Sequence, residues 1–577
     1  MYYEEGNKAL IATMENWNIR CAFGVNGGGI IHLLKYVKRY SVNEVSKKLR
    51  FFTLSEYAAG FAPIGYYLSS EQTAACITTT GAAIKLAASG LSDARFMRIP
   101  ALYIFSLNNS QMTRQSPLQD VGEYGMNIVP QLKAEFGDAV QVLKNIDQLP
   151  EQLTQIASVL SQSRPAVFLF YPDILCQPIN LTHLPSIPSI NTIDKEALNS
   201  FIRFLKKATH EDRRLILYIC AEAGFQQKTY PLIEKLKNKL GGIVVCTVNG
   251  SSAAGQNTSH HYGHIGLGGN ERANKIWNHL NEKDILICLG MEAGEYHFPQ
   301  NKLPVGDCWC FTRHKRGYGF IDGSYQHRFK NNFNVVHGPL HLSLSMLLEE
   351  LEVAPEIKPF PVSSLSPVTK NLVHSVEKSY VDLVDFYQNL SALWKKPSIG
   401  FDDVCISYRD RQCIMEVAHP NIRFFSAQDG SAMGGAFGML IGAKATHTNV
   451  HCFGFSGDGC WRLYGGALAE VSRLGIVLFI MNNNEYHIVR HGLDLIIPGL
   501  PSEKQHAQLN TIDFVMAAKA HGWQAIRLKP DLSNLKDIMK YAYSNRRQSL
   551  LIDVPVDPNQ ALGSNPRYQH LTKNSFL

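Results

Sequence analysis

No apolar run in the 577 residues approaches the ~18 needed to cross a bilayer. No Cys-x-x-Cys pair occurs among the 12 cysteines, and the one close pair, Cys308 and Cys310, has neither zinc-knuckle nor thioredoxin-like spacing. Reduced, buried thiols of a cytosolic protein are therefore expected. No dense Lys/Arg block occurs either; Lys315-Arg316 and Arg546-Arg547 are short. The net charge of +7, from 56 bases against 49 acids, is thin over this length and does not read as a nucleic-acid footprint. At most it mildly favours anionic substrates. The first residues, Met1-Tyr2-Tyr3-Glu4-Glu5, carry acids where a secretory leader needs bases and a long apolar stretch, so a cytoplasmic location is expected. No short-period repeat is present. What remains is a globular balance, 45% hydrophobic and 18% charged, in a chain too long for one core.

Three segments alternate continuous apolar strands with helical stretches, the pattern of parallel sheets buried on both faces. In the first (1–176), strands are read at Cys21–Val25, Ala75–Thr78, Ala101–Phe105 and Ala166–Phe170. A Pro-containing stretch, Gln177–Thr192, reads as a linker. The second segment (193–351) has strands at Leu215–Ile219, Ile243–Cys246 and Ile285–Leu289. Pro355, Pro359, Pro361 and Pro367 mark a second linker. The third segment (370–577) has strands at Val450–Phe455, Val477–Met481 and Leu550–Val554. The expected fold is α/β, with three doubly wound parallel-sheet domains.

Gly457-Asp458-Gly459 follows one strand directly, and Asn482-Asn483-Asn484 follows the next apolar run. The glycines admit close backbone approach to a phosphate, and a helix starting there offers free N–H groups. The Asp458 carboxylate and an asparagine amide oxygen are hard ligands suited to Mg²⁺ on a diphosphate. Both motifs sit at C-terminal strand ends, where α/β folds bind ligands. A lone Gly-Asp-Gly is common in turns; the pairing makes it a signature.

This pair resembles the thiamine-diphosphate motif of the acetolactate synthase and pyruvate decarboxylase superfamily. The resemblance implies three domains, binding the pyrimidine, a Rossmann-like centre, and the diphosphate. It implies Mg²⁺ held by Asp458, Asn483 and the main-chain carbonyl of Glu485, with Gly457 and Gly459 at the cofactor. The interval between the motifs is slightly shorter than the family usually shows, which leaves Asn483 and Asn484 as alternatives. Glu56 in Glu56-Tyr57-Ala58-Ala59-Gly60, on residue type alone a helix N-terminal acid, matches the family glutamate that hydrogen-bonds the aminopyrimidine. Asn26-Gly27-Gly28-Gly29 and Thr78-Thr79-Thr80-Gly81 resemble the family's two turns around it, with Asn26, Gly27 and Thr80 at the cofactor. Gln119 resembles a glutamine near the cofactor, or is an exposed loop amide. Met433, in Gly430-Ser431-Ala432-Met433-Gly434, matches the residue that bends the cofactor into a V.

Simple decarboxylases of the family carry a His-His pair after the strand ending near Phe105, and a glutamate six residues past the metal asparagine. Here Asn108-Asn109 and Val489 occupy those positions. The resemblance is therefore closest to the acetolactate synthase branch, and carboligation is expected over aldehyde release. His487 and Arg490 are candidates for substrate anchoring or acid–base work, or are helix surface residues. The branch's usual tryptophan is replaced around Gly492, which implies a substrate other than its standard small 2-oxo acids. In the middle segment Gly263–Gly269 reads as a glycine-rich loop without a cofactor, and His260, His261 and His264 as a surface or interface loop rather than a metal site. FAD is a minor option. The expected partners are a 2-oxo acid and a carbonyl acceptor, with no nucleic acid and no membrane, and the resemblance implies a homodimer or homotetramer with active sites between chains. The alternatives are a non-ligating lyase and a degenerate scaffold subunit.

Overall fold

The computed structural model describes residues 1–42, 44, 46–112, 115–208, 213–255, 261–298, 302–329, 332–351, 376–446, 449–544, 547–563, 565–568 and 571. The second proline cluster, Pro355 to Pro367, and His260 lie outside them.

The apolar runs fold into three sheets, and every strand pairing within each is parallel. The first sheet contains β1 (Cys21–Gly24), β2 (Lys38–Arg39), β3 (Arg50–Thr53), β4 (Ala75–Thr78), β5 (Leu102–Ser106), β6 (Val140–Leu143) and β7 (Ala166–Phe170). Its order is β2-β3-β1-β4-β5-β7-β6. The second has β8 (Arg214–Ile219), β9 (Ile243–Cys246), β10 (His261–His264), β11 (Asp284–Leu289), β12 (Asp307–Thr312) and β13 (Phe333–His337), ordered β10-β9-β8-β11-β12-β13. The third has β14 (Ser398–Asp402), β15 (Ile422–Ser426), β16 (His451–Gly457), β17 (Val477–Asn482), β18 (Gln524–Arg527) and β19 (Leu550–Pro555), ordered β15-β14-β16-β17-β19-β18. This is the expected α/β class. In each sheet the order reverses near the middle, opening a crevice at the C-terminal strand ends. Between the first two sheets, Ile179–Asn180 pairs antiparallel with Tyr2–Tyr3, which ties part of the Gln177–Thr192 linker to the N-terminus.

The first and third sheets are joined through two helices. Helix α1 (Glu56–Ser70) follows β3, and α4 (Gly435–Lys444) precedes β16; between them come α2 (Ala82–Phe96) and α3 (Glu271–Asn278). Small residues let the backbones of α1 and α4 touch. A Cβ added to Gly65 would lie 1.7 Å from the Met439 carbonyl oxygen, and one added to Gly442 would lie 1.8 Å from that of Ala62. Both helices are apolar on nearly all sides and buried. A single apolar core accordingly runs from the first sheet into the third.

The central segment corrects one sequence expectation. His261 and His264 belong to a buried strand rather than a surface loop. Burial holds both imidazoles neutral, pushing His261 down to about 4 and His264 to about 3. Gly263–Gly269 does lie between a strand, β10, and a helix, α3. Its glycines abut protein: a Cβ on Gly266 would strike the Tyr296 carbonyl at 1.7 Å, and one on Gly268 would lie 2.5 Å from the Arg409 carbonyl.

Candidate functional site

β16 ends at Gly457, and a single helical turn, α5 (Asp458–Trp461), begins at once. β17 ends at Asn482 on the neighbouring strand. Asp458 is buried and joins the two strand ends: its Oδ1 accepts from Gly459 N at 2.9 Å and its Oδ2 from Asn484 N at 2.6 Å. Burial pushes its carboxyl up to about 6, because backbone N–H groups only partly replace water around the charge. A buried carboxylate in this condition is a ready cation ligand.

The asparagines have separate duties. Asn482 is buried and donates to Asp553 Oδ1 at 2.9 Å. Asn483 is buried and lines the same cavity as Asp458. Asn484 is exposed and left-handed, with φ of 57°, and its side chain is outside that cavity wall. Of the two alternatives, Asn483 therefore stands beside Asp458. The cavity, about 130 Å³, is also walled by Met433, Gly457, His487 and Val489. A Cβ on Gly459 would lie 2.6 Å from the Tyr486 ring, so the loop closes only with glycine there.

Met433 is held from two directions. Tyr57, the residue after Glu56, donates its hydroxyl to the Met433 carbonyl. Asp403, just past β14, accepts from Gly434 N at 2.8 Å, Val404 N at 2.9 Å and the Ser456 hydroxyl at 2.6 Å. Burial pushes Asp403 up to about 6 as well. Ser431 takes φ of 51° and donates its hydroxyl to the Gln428 carbonyl at 2.8 Å. Asp403 was not visible as a site residue in the sequence, since the Asp402-Asp403 pair at the end of a short strand belongs to no motif.

Beyond Asn483, α6 (His487–Ile496) begins. The Glu485 side chain holds His487 Nδ1 at 3.0 Å and Arg490 Nε at 2.7 Å. His487 is buried, and its Nε2 has no hydrogen-bond partner among the described residues. Arg490 also pairs with Asp494 at 3.0 Å, so it is a bracing residue of this helix. Val489 is half-exposed at the cavity rim.

The other candidates gather at the C-terminal edge of the first sheet. Glu56 opens α1, half-buried, and its carboxylate makes no hydrogen bond among the described residues. The turn after β1 is packed against the turn after β4. Gly29 N donates to Thr79 Oγ1 at 3.1 Å, and a Cβ on Gly27 would lie 2.6 Å from Thr79. Asn26 is exposed, and its Oδ1 accepts from Gly27 N at 2.9 Å. Thr80 is buried and donates to the Leu107 carbonyl at 3.3 Å. Gln119 is exposed with φ of 56°, against Gly81. Asn108 donates to the carbonyls of Leu118 and Gln119 and accepts from Val121 N, so it braces this loop. None of Asn26, Gly27, Glu56, Thr80 or Gln119 lines the Asp458 cavity of the same chain. A larger cavity, about 1150 Å³, lies between the first and central sheets and is lined by none of the candidate residues. Chemistry, not size, picks out the smaller one.

Residues 4–126 match the N-terminal thiamine pyrophosphate-binding domain of thiamine pyrophosphate enzymes, and residues 412–554 match the C-terminal one. The chain belongs to the thiamine-diphosphate-dependent enzymes. It is 21% identical over 523 residues to the acetolactate synthase isozyme 2 large subunit of Escherichia coli, covering 90% of this chain and 89% of that one. It is 22% identical over 563 residues to the acetolactate synthase large subunit of Corynebacterium glutamicum, covering 94% and 85%. Its fold matches the Rhodococcus jostii thiamine diphosphate-dependent 4-hydroxybenzoylformate decarboxylase with a TM-score of 0.76 at 16% identity, over 96% of this chain and 99% of that one. As a family member it makes or breaks C–C bonds using thiamine diphosphate. No described helix is long and apolar enough to cross a membrane.

The crevice of the central sheet, between β8 and β11, is occupied by carboxylates. Glu222 is buried there and accepts from the Thr312 hydroxyl at 2.6 Å and Arg313 N at 3.2 Å. Glu292 accepts from Ala221 N at 2.9 Å and the Thr247 hydroxyl at 2.8 Å. These acids take backbone N–H groups of the kind a dinucleotide pyrophosphate uses.

Proposed function

We propose that the protein decarboxylates a 2-oxo acid and joins the aldehyde fragment to a carbonyl acceptor, in the manner of acetolactate synthases. Thiamine diphosphate, when bound, supplies the carbanion chemistry and the electron sink. Asp458, Asn483 and the Glu485 carbonyl would hold Mg²⁺ on its diphosphate, a donor set of three oxygens suited to that ion. The fit is supported by the buried Asp458 carboxyl, by the glycine-dependent loop at Gly459 and by the unpartnered Nε2 of His487. Glu56 would hold and exchange a proton at the pyrimidine nitrogen. Met433 would support the bent cofactor, fixed by Tyr57 and Asp403. Gln119 would face the substrate.

The observation that carries ligation over aldehyde release is the apolar Val489 at the cavity rim, where a decarboxylase-type glutamate would deliver a proton. An apolar side chain there offers no proton and leaves the fragment for a second carbonyl. His487 Nε2 favours a second reading: it is a proton-carrying group at the same cavity, and decarboxylation with protonation would use it. Product analysis by mass spectrometry, with 2-oxo acids and mixed carbonyl acceptors, separates the two. An acyloin-type mass supports ligation; aldehyde alone supports the second reading.

The site is proposed to assemble between two chains of a homo-oligomer. The N-terminal candidates are absent from the cavity wall of their own chain, and Leu118 and Tyr124 beside Gln119 are 89% and 94% exposed. Apolar side chains so exposed next to a site are suited to cover by a partner. A cytoplasmic location fits the free cysteines. Carboxyl groups already take the backbone N–H groups at the central crevice that a pyrophosphate would need, so the reading gives FAD no role.

A further inference from the structure

Glu292 and His297 lie in the loop after β11, and Asp429 lies in the loop after β15. The two loops meet where the central and third sheets adjoin. His297 is buried, with its Nε2 3.2 Å from Asp429 Oδ1, 3.5 Å from Asp429 Oδ2 and 3.5 Å from Glu292 Oε1. One donor atom from each of the three residues lies within 4.8 Å of the others. Four-coordinate zinc, with bonds of about 2.0–2.1 Å to nitrogen and oxygen, sets its ligands about 3.4 Å apart. The imidazole-to-carboxylate distances match that edge.

Three further features suit a built cation site. The Glu292 Oε2 is already occupied by Ala221 N and the Thr247 hydroxyl, which aims Oε1 at the centre. A Cβ at Gly294 would lie 2.6 Å from Asp429 Oδ1, so glycine at 294 leaves the carboxylate room in its present position. A cavity of about 330 Å³ opens beside the three groups, and Gln428, 2% exposed, lines it with its Oε1 unpartnered.

We propose that Glu292, His297 and Asp429 bind a divalent cation of the zinc class, with the fourth position open to this cavity. One imidazole and two carboxylates are a donor set for Zn²⁺, whereas Mg²⁺ prefers six oxygens. The site is separate from Asp458 and Asn483. It ties the central segment to residues 427–434, the stretch that carries Met433.

The test uses the full chain with saturating Mg²⁺ and thiamine diphosphate, titrated with Co²⁺. The expected result is one equivalent per chain giving the intense visible bands of four-coordinate Co²⁺, displaced by Zn²⁺. His297→Gln and, separately, Asp429→Asn should weaken Co²⁺ binding at least tenfold and remove the bands. Glu295→Gln, in the same loop but half-buried and paired with Arg567 at 3.7 Å, should leave them. No saturable bands in the unmodified protein, or unchanged bands in His297→Gln, would overturn the proposal and leave the three side chains as an ion-pair cluster only.

Discussion

The carboxylate of Asp458 accepts the backbone N–H of Asn484 at 2.6 Å, so the ends of two neighbouring strands are fastened at one buried acid. That bond turns Asn484 left-handed and outward and leaves Asn483 in the cavity wall. The candidate metal ligands are thus arranged before any ion arrives.

This predicts a difference between adjacent asparagines. Asn483→Ala should weaken the apparent Mg²⁺ affinity at least tenfold, read by cofactor-dependent fluorescence quenching. Asn484→Gly keeps the backbone donor and suits the left-handed φ, so its affinity should stay within about twofold. The reverse order would move the ligand to Asn484. Asp458→Ala should abolish Mg²⁺-dependent cofactor binding.

Gly65 meets the Met439 carbonyl with no room for a methyl group. Gly65→Ala should force α1 and α4 apart and cost about 1–3 kcal/mol, measured by denaturant unfolding. Ala88→Gly, by contrast, tests only helix propensity in α2, at about 1 kcal/mol or less. Because α1 begins at Glu56 and α4 follows Met433, Gly65→Ala should also lower turnover.

Asp403 gives a pH signature. Its carboxyl is raised to about 6 in the folded protein by burial, against an ordinary value near 3.8. The folded state therefore holds the proton more tightly than the unfolded chain. The resulting stability is full below about 4 and is lost as pH rises through about 6, a change of roughly 3 kcal/mol. Asp403→Asn keeps an acceptor for Gly434 N and does not ionise. Its stability should be flatter than that of the unmodified protein between pH about 4 and 6, by urea unfolding.

The ten apolar strands were readable because parallel strands buried on both faces carry continuous hydrophobic runs. Val140–Leu143 and Gln524–Arg527 were not, being edge strands with half-exposed, partly polar sequences. His261–His264 was misread because two imidazoles look polar; in the strand they are neutral, and His261 packs its Nε2 3.4 Å from Cys246 Sγ. Within the site, Asp458 and Glu56 were legible because motifs surround them. Asp403 and Tyr57 act through contacts far along the chain, to Gly434, Ser456 and Met433, and the Glu485 side chain braces the helix that follows it; none of these is marked by a sequence motif. Which of Asn483 and Asn484 lines the cavity depends on the local backbone, a quantity that adjacent identical residues do not reveal.

Carboligation by this chain is expected to depend on Glu56. Purified protein with thiamine diphosphate, Mg²⁺, 2-oxo acids and carbonyl acceptors should yield a new acyloin-type mass. Glu56→Gln should bind the cofactor yet lose about a hundredfold or more of that rate. Undiminished product formation by Glu56→Gln, or aldehyde as the sole product of the unmodified protein, would contradict the account.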